Sequence, residues 1–247
     1  MSGPPVGILA RSAAVTELLA REGPLTPADI SDRIGMPRAS VYRLVDALGT
    51  IGLTEPRPGG QVALSLRWLR LADAASAALR EWAEADAVLD ELARRTGQTA
   101  YLSVPRADVA LCIRWAQGSG IGVLVLRPGR SLPLYAGAAG RLCLAYRHDL
   151  SRLLARAPFP RLTPRTLTTA EELLADVEAT RARGYSISDQ DVTEGIGALG
   201  AAVLDDDDQL AAAVSIGGLA TDFDRDRARF VDALADAAAR LSASLRR

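Results

Sequence analysis

The chain of 247 residues contains no lysine and no asparagine, and it has only two cysteines and one histidine. Without lysine, a phosphate-binding loop of the G-x-x-x-x-G-K-[ST] type cannot be built. Cys112 and Cys143 are widely spaced, so they form neither a disulfide framework nor a zinc pair, and His148 alone cannot complete a Cys/His cluster. We therefore expect no metal site and no cofactor.

Long apolar runs are also missing. No segment approaches the roughly 20 apolar residues that a membrane span requires. The N-terminal sequence MSGPPVGILARS lacks the basic segment and long apolar core of a signal peptide. The composition, 49% hydrophobic and 24% charged, is that of a globular protein with a real core. We expect a soluble, cytoplasmic chain.

Charge is balanced overall, but it is unevenly distributed along the chain. The net charge is −1, so the whole chain has no basic signature of nucleic-acid binding. The stretch 30–70, however, carries six arginines against three acidic residues, a local charge of +3 that leaves −4 for the remainder. This asymmetry has the sign expected of a DNA-binding head on a neutral-to-acidic body.

Two short helices joined by a tight turn are predicted near the N-terminus. Thr26 and Pro27 stand where an N-cap and a first helical residue belong, and Gly35 ends the helix that they begin. Pro37 opens the next helix. Its apolar face has the helical spacing i, i+3, i+4, i+7, in Val41, Leu44, Val45 and Leu48. A helix, a glycine-containing turn and a helix are the helix-turn-helix pattern.

The opposite face of the second helix predicts contact with DNA. It presents Arg38, Ala39, Tyr42, Arg43 and Asp46. An α-helix fits the major groove, and arginine can donate to guanine O6 and N7 together. A plain helical hairpin with a solvated basic face is the alternative, which the segment that follows makes less favoured. We predict that the residues at work in the major groove are Arg38, Ser40, Tyr42 and Arg43.

That following segment, 53–66, predicts a wing. A short strand, a Pro/Gly-rich turn and an alternating strand are typical of a β-hairpin. Arg57 and Gln61 flank the tip, and we predict that they contact the DNA backbone or the minor groove. We expect a winged helix-turn-helix domain in 1–66 and a linker helix in 67–81.

The remainder, 82–247, predicts a mixed α/β domain. The last three predicted strands are close together and joined by short turns, which favours an antiparallel sheet flanked by helices over a doubly wound parallel one. The predicted strands are Thr99–Pro105, Val109–Trp115, Ile121–Leu126, Tyr185–Val192, Leu199–Leu204 and Ala211–Ile216.

Three motifs in this domain bear on chemistry. GIGALG, residues 195–200, matches the dinucleotide fingerprint, but strand and turn follow it where a helix is required. AGAAGR, residues 136–141, opens a helix whose exposed amides could hold a carboxylate, although small-residue packing explains it equally well. Asp189 and Asp191 would share a face of one strand, and without a nucleophile and base they indicate a ligand contact or a solvated edge. We expect no catalytic residues.

Three segments, in order and spacing, resemble the IclR-type transcription regulators. They are LTPADISDRIGMPRASVYRLVDALGTIGL in the head, and GRSLPLYAGAAGRLCLA and RGYSISDQDVTEGIGALGAAVLDDDDQLAAAVSIGG in the body. The resemblance covers nearly the whole chain. It implies a GAF-like effector domain, heads that pair on a pseudo-palindromic operator, and a dimer or a dimer of dimers. It also implies a small organic effector, often a carboxylate, with repression as the default.

The resemblance further implies a set of pocket residues. Matching positions one by one gives Ile121, Leu124 and Leu132 as an apolar wall, Ala138 and Ala139 as residues whose amides hold the ligand, and Asp189, Ala198, Ser215 and Gly217 as floor and sides. Ala198 and Gly217 depart from the family's common polar residues, which predicts a less polar or larger effector, or a vestigial pocket.

Two other functions remain open at this point. One is a small-molecule enzyme with a winged-helix appendage, which would need a catalytic set that the sequence does not show. The other is an interaction module whose winged helix serves dimerisation and not DNA binding.

Overall fold

The computed structural model describes residues 7–77, 79–120 and 126–246. The described chain separates into two compact units, one up to residue 77 and one from residue 79 onward. The predicted linker helix forms as Arg67–Ala77 and belongs to the first unit. Its role as a linker stays a prediction.

The first unit is a winged helix-turn-helix, as predicted. Its elements are α1 (Gly7–Glu22), α2 (Pro27–Ile34), α3 (Arg38–Thr50), β1 (Thr54–Arg57), β2 (Gln61–Leu64) and α4 (Arg67–Ala77). Thr26 caps α2 in a reciprocal capping box with Asp29, and Gly35 ends that helix at a left-handed φ of 67°. Both ends of α2 are therefore set by local chemistry that can be read from the sequence.

The core of the first unit lies between the three helices and the wing. It contains Val15, Leu18, Leu19, Leu25, Ile30, Val41, Leu44, Leu48 and Val62. Strands β1 and β2 pair antiparallel, and Leu25 adds a further bridge by exchanging backbone hydrogen bonds with Val62 at 2.8 and 3.1 Å. The wing is thus tied to the turn before α2, which holds it beside α3.

The second unit contains a six-stranded sheet with helices on both faces. Its elements are α5 (Ala85–Thr96), β3 (Thr99–Arg106), β4 (Val109–Ala116), β5 (Ser131–Pro133), α6 (Ala138–Ala145), α7 (Leu150–Leu154), α8 (Ala170–Arg183), β6 (Tyr185–Asp189), β7 (Ile196–Leu204), β8 (Leu210–Leu219) and α9 (Ala220–Leu245). The order is β5-β4-β3-β8-β7-β6, with antiparallel neighbours throughout. The predicted antiparallel α/β fold is confirmed. The label GAF-like stays a prediction.

Two of the predicted strands differ from the sheet. Residues 121–125 of the predicted strand Ile121–Leu126 lie outside the described residues. The predicted strand Tyr185–Val192 ends at Asp189 in β6, so Asp189 and Asp191 do not share a strand face as expected. Strand β5, which was not predicted, has only three residues, too few to show a period of two.

The two faces of the sheet differ in side-chain size. One face carries large apolar residues such as Leu102, Val214 and Ile216, which pack in a core with α5 and α9. The other face is rich in glycine, alanine and serine and lies under α6. A Cβ on Gly200 would come within 3.2 Å of the Ala138 carbonyl oxygen, so this glycine permits the close approach of α6. None of the described helices is both long and apolar enough to cross a membrane.

Candidate DNA-binding surface and effector cavity

The outward face of α3 carries two arginines and a tyrosine that are free to contact a partner. Arg38, Tyr42 and Arg43 are exposed, with Tyr42 58% exposed, while Val41 and Leu44 on the opposite face are buried. Neither Arg38 nor Arg43 makes an ion pair or a hydrogen bond with any described residue. Arginine side chains that have no partner within the protein and lie on an exposed helix face are available to contact DNA phosphates or base edges.

Ser40 lies at the edge of this face and not at its centre. It is half-buried and lines a groove between α1 and α3, together with Ile8, Arg11 and Arg43. Arg11 was not among the predicted contacts, because α1 precedes the helix-turn-helix pattern. It has no ion partner among the described residues and stands beside Arg43, which makes it a candidate phosphate contact.

The wing presents its arginine already paired. Arg57 Nη2 lies 2.6 Å from Glu55 Oε1, and the two residues occupy the same face of β1. Gln61 is the cross-strand partner of Arg57 and is half-buried. The two predicted wing residues therefore lie together at the tip. To contact a phosphate, Arg57 must either break its ion pair with Glu55 or donate to Glu55 and the phosphate together. Their DNA-binding role stays a prediction.

Replacing Glu55 with glutamine tests the wing. We expect Glu55→Gln to tighten DNA binding by up to about 1 kcal/mol, which is the usual strength of an exposed ion pair. Without the Glu55 carboxylate, Arg57 no longer has to give up this ion pair to contact a phosphate. The slope of log affinity against log salt should steepen by about one phosphate contact. Glu91→Gln, which frees Arg94 in an exposed pair of the second unit, is the control. Equal affinities for Glu55→Gln and the wild type at all salt concentrations would contradict a phosphate contact by Arg57.

A cavity in the second unit lies between the sheet and the start of α6. Its cavity volume is about 60 Å³, which is smaller than the roughly 300–1,000 Å³ of typical small-molecule sites. Its lining is mostly apolar: Tyr101, Leu126, Leu132, Gly137, Ala138, Ala139, Ser188, Val192, Thr193, Ile196, Ala198, Ser215, Ile216 and Gly217. No charged side chain is among these described lining residues.

Strand register explains why the space is there. Ser188, Ala198 and Gly217 are directly paired across β6, β7 and β8, and the neighbouring row runs through Gly200 and Ser215. Small side chains in adjacent rows leave a gap under the first turn of α6. The gap thus depends on non-local pairing and could not be read from any one strand.

Six of the predicted pocket residues come together in this cavity. They are Leu132, Ala138, Ala139, Ala198, Ser215 and Gly217. Ile121 and Leu124 lie outside the described residues. Asp189 points elsewhere: its side chain is 58% exposed and pairs with Arg165. Because side chains alternate along β6, the neighbouring Ser188 lines the cavity instead. That these residues bind an effector stays a prediction.

Two hydroxyls stand out in the apolar lining. Ser215 is only 4% exposed, and its hydroxyl has no hydrogen-bond partner among the described residues. Because Ser215 lines the cavity, its hydroxyl is available to donate or accept a hydrogen bond with a ligand. Burial raises the pKa of Tyr101 to about 12, and this phenol, which hydrogen-bonds with Thr99, therefore remains neutral.

A buried charge network holds the wall of the cavity behind α6. Asp191 is 1% exposed and accepts hydrogen bonds from the Ser188 hydroxyl, from the Gly137 amide at 3.0 Å and from Arg141 Nη1 at 3.3 Å. Arg141 also donates two hydrogen bonds to Asp176 on α8, from Nε to Oδ2 at 2.7 Å and from Nη2 to Oδ1. The network joins α6, α8 and the segment after β6.

The charge state of this network follows from its contacts. Burial, the largest influence, lowers the pKa of Arg141, but the hydrogen bonds and charges of Asp176 and Asp191 together outweigh it and raise the pKa above the ordinary value. Arg141 is therefore a permanent cation inside the domain. Sequence analysis assigned it no role, since nothing local marks an arginine in AGAAGR as buried.

Comparison with known proteins finds matching families for both units of the chain. The family description "Bacterial transcriptional regulator IclR C-terminal" matches residues 75–243, and "IclR helix-turn-helix domain" matches residues 8–58. The HTH-type transcriptional regulator KipR of Bacillus subtilis is 27% identical over 235 residues, which cover 94% of this chain and 94% of that one.

Solved structures share the fold over both units. The IclR transcriptional regulator of Alicyclobacillus acidocaldarius superposes with a TM-score of 0.82 at 27% identity, covering 98% of this chain and 100% of that one. An IclR homologue from Microbacterium hydrocarbonoxydans, solved in complex with 4-hydroxybenzoate, gives a TM-score of 0.81 at 23% identity and covers 97% and 99% of the two chains.

Proposed function

The chain belongs to the IclR family of bacterial transcription regulators, and from this membership we propose that it binds a pseudo-palindromic operator through α3 and changes its DNA affinity when a small molecule enters the cavity beside α6. The observation that carries the DNA-binding half is the pair of unpartnered arginines, Arg38 and Arg43, on the outward face of α3. Tyr42 and Ser40 would add contacts in the major groove, and Arg11, Arg57 and Gln61 would add backbone contacts.

The cavity supports an effector with an apolar body and one polar or anionic end. The first amides of α6, at Ala138 and Ala139, have no acceptor within the helix, and the positive end of the helix dipole faces the same space. Ser215 offers a hydroxyl without a partner. Of the proteins with this fold, the Microbacterium hydrocarbonoxydans homologue holds 4-hydroxybenzoate, a molecule of that general description.

Regulation would follow from linkage between the two ligands. An effector that binds one DNA-binding state more tightly than another shifts the equilibrium between them, and DNA must then change the effector's affinity by the same factor. We propose repression of the regulated genes as the default mode, in the cytoplasm where the DNA lies.

Self-association is part of the proposal, because a pseudo-palindromic operator requires paired heads. The first unit exposes large apolar side chains on α1 and on and next to α4, namely Ile8, Leu9, Leu66 and Leu69, each at least 62% exposed. Large apolar side chains with this degree of exposure are candidates for a surface that a partner covers. We propose a homodimer, which a dimer of dimers could extend.

We propose that the protein acts without catalysis. Its relatives are named as regulators, and the candidate nucleophiles are poorly placed for chemistry. Burial raises the pKa of both Cys112 and Cys143 to about 12, so neither supplies a thiolate at neutral pH. His148 bonds to the Gln209 amide oxygen at 2.8 Å and has no carboxylate partner among the described residues.

Filling the cavity tests the effector half. Small organic acids and phenols are first screened for compounds that raise the melting temperature of the wild-type protein. We expect Ala198→Leu to weaken binding of any such compound by about 1–3 kcal/mol, because the larger side chain occupies the ligand's space. DNA affinity of the variant without the compound is the control and should equal that of the wild type. Undiminished binding of the compound by Ala198→Leu would place the effector site elsewhere.

A further inference from the structure

A single carboxylate stands at the middle of the surface that would meet DNA. Asp46 lies on α3, four residues after Tyr42 and three after Arg43, directly opposite the buried stripe of Val41, Leu44 and Leu48. It is exposed, as are its neighbours Tyr42 and Arg43. An acidic residue in this position repels phosphates, so general attraction to DNA does not explain it.

The Asp46 carboxylate has no hydrogen-bond or ion-pair partner among the described residues. The Asp46 backbone carbonyl accepts a hydrogen bond from the Thr50 hydroxyl at 3.0 Å, but no described residue donates to the side-chain oxygens. Arg43, one turn away, is not within ion-pair distance of it among the described contacts. The acid is therefore neither a cap nor a structural ion pair, and it remains free to accept a hydrogen bond from a partner.

We propose that Asp46 determines operator specificity by accepting a hydrogen bond from the N4 amine of a cytosine in the major groove. This inference rests on the proposed function, since it assumes that α3 reads DNA. Only cytosine N4 and adenine N6 present donors in that groove. Adenine places its N7 acceptor beside the amine, where a carboxylate is repelled, and cytosine has no acceptor on that side. Cytosine is therefore the base that the carboxylate selects.

Arg43 fits the same base pair or its neighbour. Side chains three residues apart on a helix have their Cβ atoms about 5–6 Å apart, and successive base pairs are about 3.4 Å apart. The guanine opposite or next to the selected cytosine offers O6 and N7 to an arginine. Asp46 and Arg43, one turn apart on α3, thus match a C·G step: the carboxylate accepts from cytosine N4, and the guanidinium donates to guanine O6 and N7.

The test uses the full chain and a library of random duplex DNA. Wild type, Asp46→Ala and the control Asp32→Ala each select their preferred sequences. Asp32 is an exposed carboxylate on α2 that has no ion partner among the described residues. We expect wild type and Asp32→Ala to select the same half-site, with a cytosine that Asp46→Ala no longer prefers.

Affinities then measure the effect. Replacing the selected C·G pair with T·A should weaken wild-type binding by about 5- to 30-fold, the effect of one good base contact, and should leave Asp46→Ala nearly unaffected. Asp46→Ala should also bind random DNA somewhat more tightly, because a negative charge has gone. If the wild type selects a sequence and Asp46→Ala selects the same one with equal discrimination, this inference is wrong and the proposed function stands. If the wild type selects no sequence at all, both are wrong.

Discussion

Replacing Arg141 with methionine is expected to lower the free energy of unfolding of the effector unit by about 3–5 kcal/mol, the cost of leaving buried charges without their partner. Asp191 is 1% exposed, and the side chain of Asp176 is 8% exposed. Without Arg141, Asp191 keeps only the Ser188 hydroxyl and the Gly137 amide, and Asp176 keeps Arg183, 3.6 Å away. A loss of this size is a large part of the total stability of a typical domain.

The control for this variant is an arginine that forms an exposed pair. Arg165→Met removes the partner of Asp189, and both of those side chains are 58% exposed, so we expect a loss below about 1 kcal/mol. Arg141→Lys keeps the charge but not the two-pronged geometry, and its loss should fall between the two. Urea unfolding followed by circular dichroism measures all three. A loss for Arg141→Met no larger than that for Arg165→Met would show that the network does not stabilise the domain.

Arg141→Met should also weaken ligand binding in the cavity. Asp191 orients the Gly137 amide and the Ser188 hydroxyl, and both residues belong to the cavity lining. We therefore expect the variant, under conditions where it is still folded, to bind any effector found for the wild type more weakly. The buried network and the effector site would then be one structural unit.

Replacing Arg43 with alanine is expected to weaken binding to a selected operator by about 1–3 kcal/mol and to reduce its discrimination against random DNA. Arg43 is exposed and has no partner among the described residues, so its removal leaves no buried charge behind. The fold should be unchanged, and the loss should therefore appear in DNA binding alone.

The measurement is a salt titration of binding to the selected operator and to random DNA. Arg33→Ala is the matched control, because Arg33 lies on α2 of the same head and is engaged by Glu22 at 2.7 Å and by Asp29 at 3.6 Å. We expect Arg33→Ala to change affinity only slightly and equally for both DNAs. Equal, small effects of the two substitutions at every salt concentration would show that α3 does not read bases through Arg43, which would favour an interaction module.

Local chemistry made the head readable from the sequence. Thr26, Pro27 and Gly35 mark the ends of α2 by interactions that span at most a few residues, and the stripe of Val41, Leu44 and Leu48 specifies the buried face of α3. In the body, the short turns between late strands correctly predicted an antiparallel sheet. These signals depend on neighbours in the chain, and the sequence contains them in full.

The functional sites were predicted less completely, because they depend on pairing between distant segments. Ser188, and not Asp189, lines the cavity, because side chains alternate along β6 and Asp189 lies on the other face of the sheet. Arg57 looked like a free wing arginine, but Glu55, two residues before it on the same face of β1, forms an ion pair with it; this contact is local, and strand alternation could have predicted it. Arg11 escaped notice because only packing of α1 against α3 brings it beside Arg43.

The sequence by itself determined the division into a DNA-binding head and an α/β body, the outward face of α3 and the family, because capping, periodicity and motif order act along the chain. The tertiary structure alone decided which acid is buried and which is exposed. Asp189 and Asp191 are two residues apart and chemically identical, yet one is solvated beside Arg165 and the other is enclosed by Gly137, Ser188 and Arg141. Burial is a property of the segments that pack around a residue, and two of the three residues that enclose Asp191, Gly137 and Arg141, are 54 and 50 positions away in the chain.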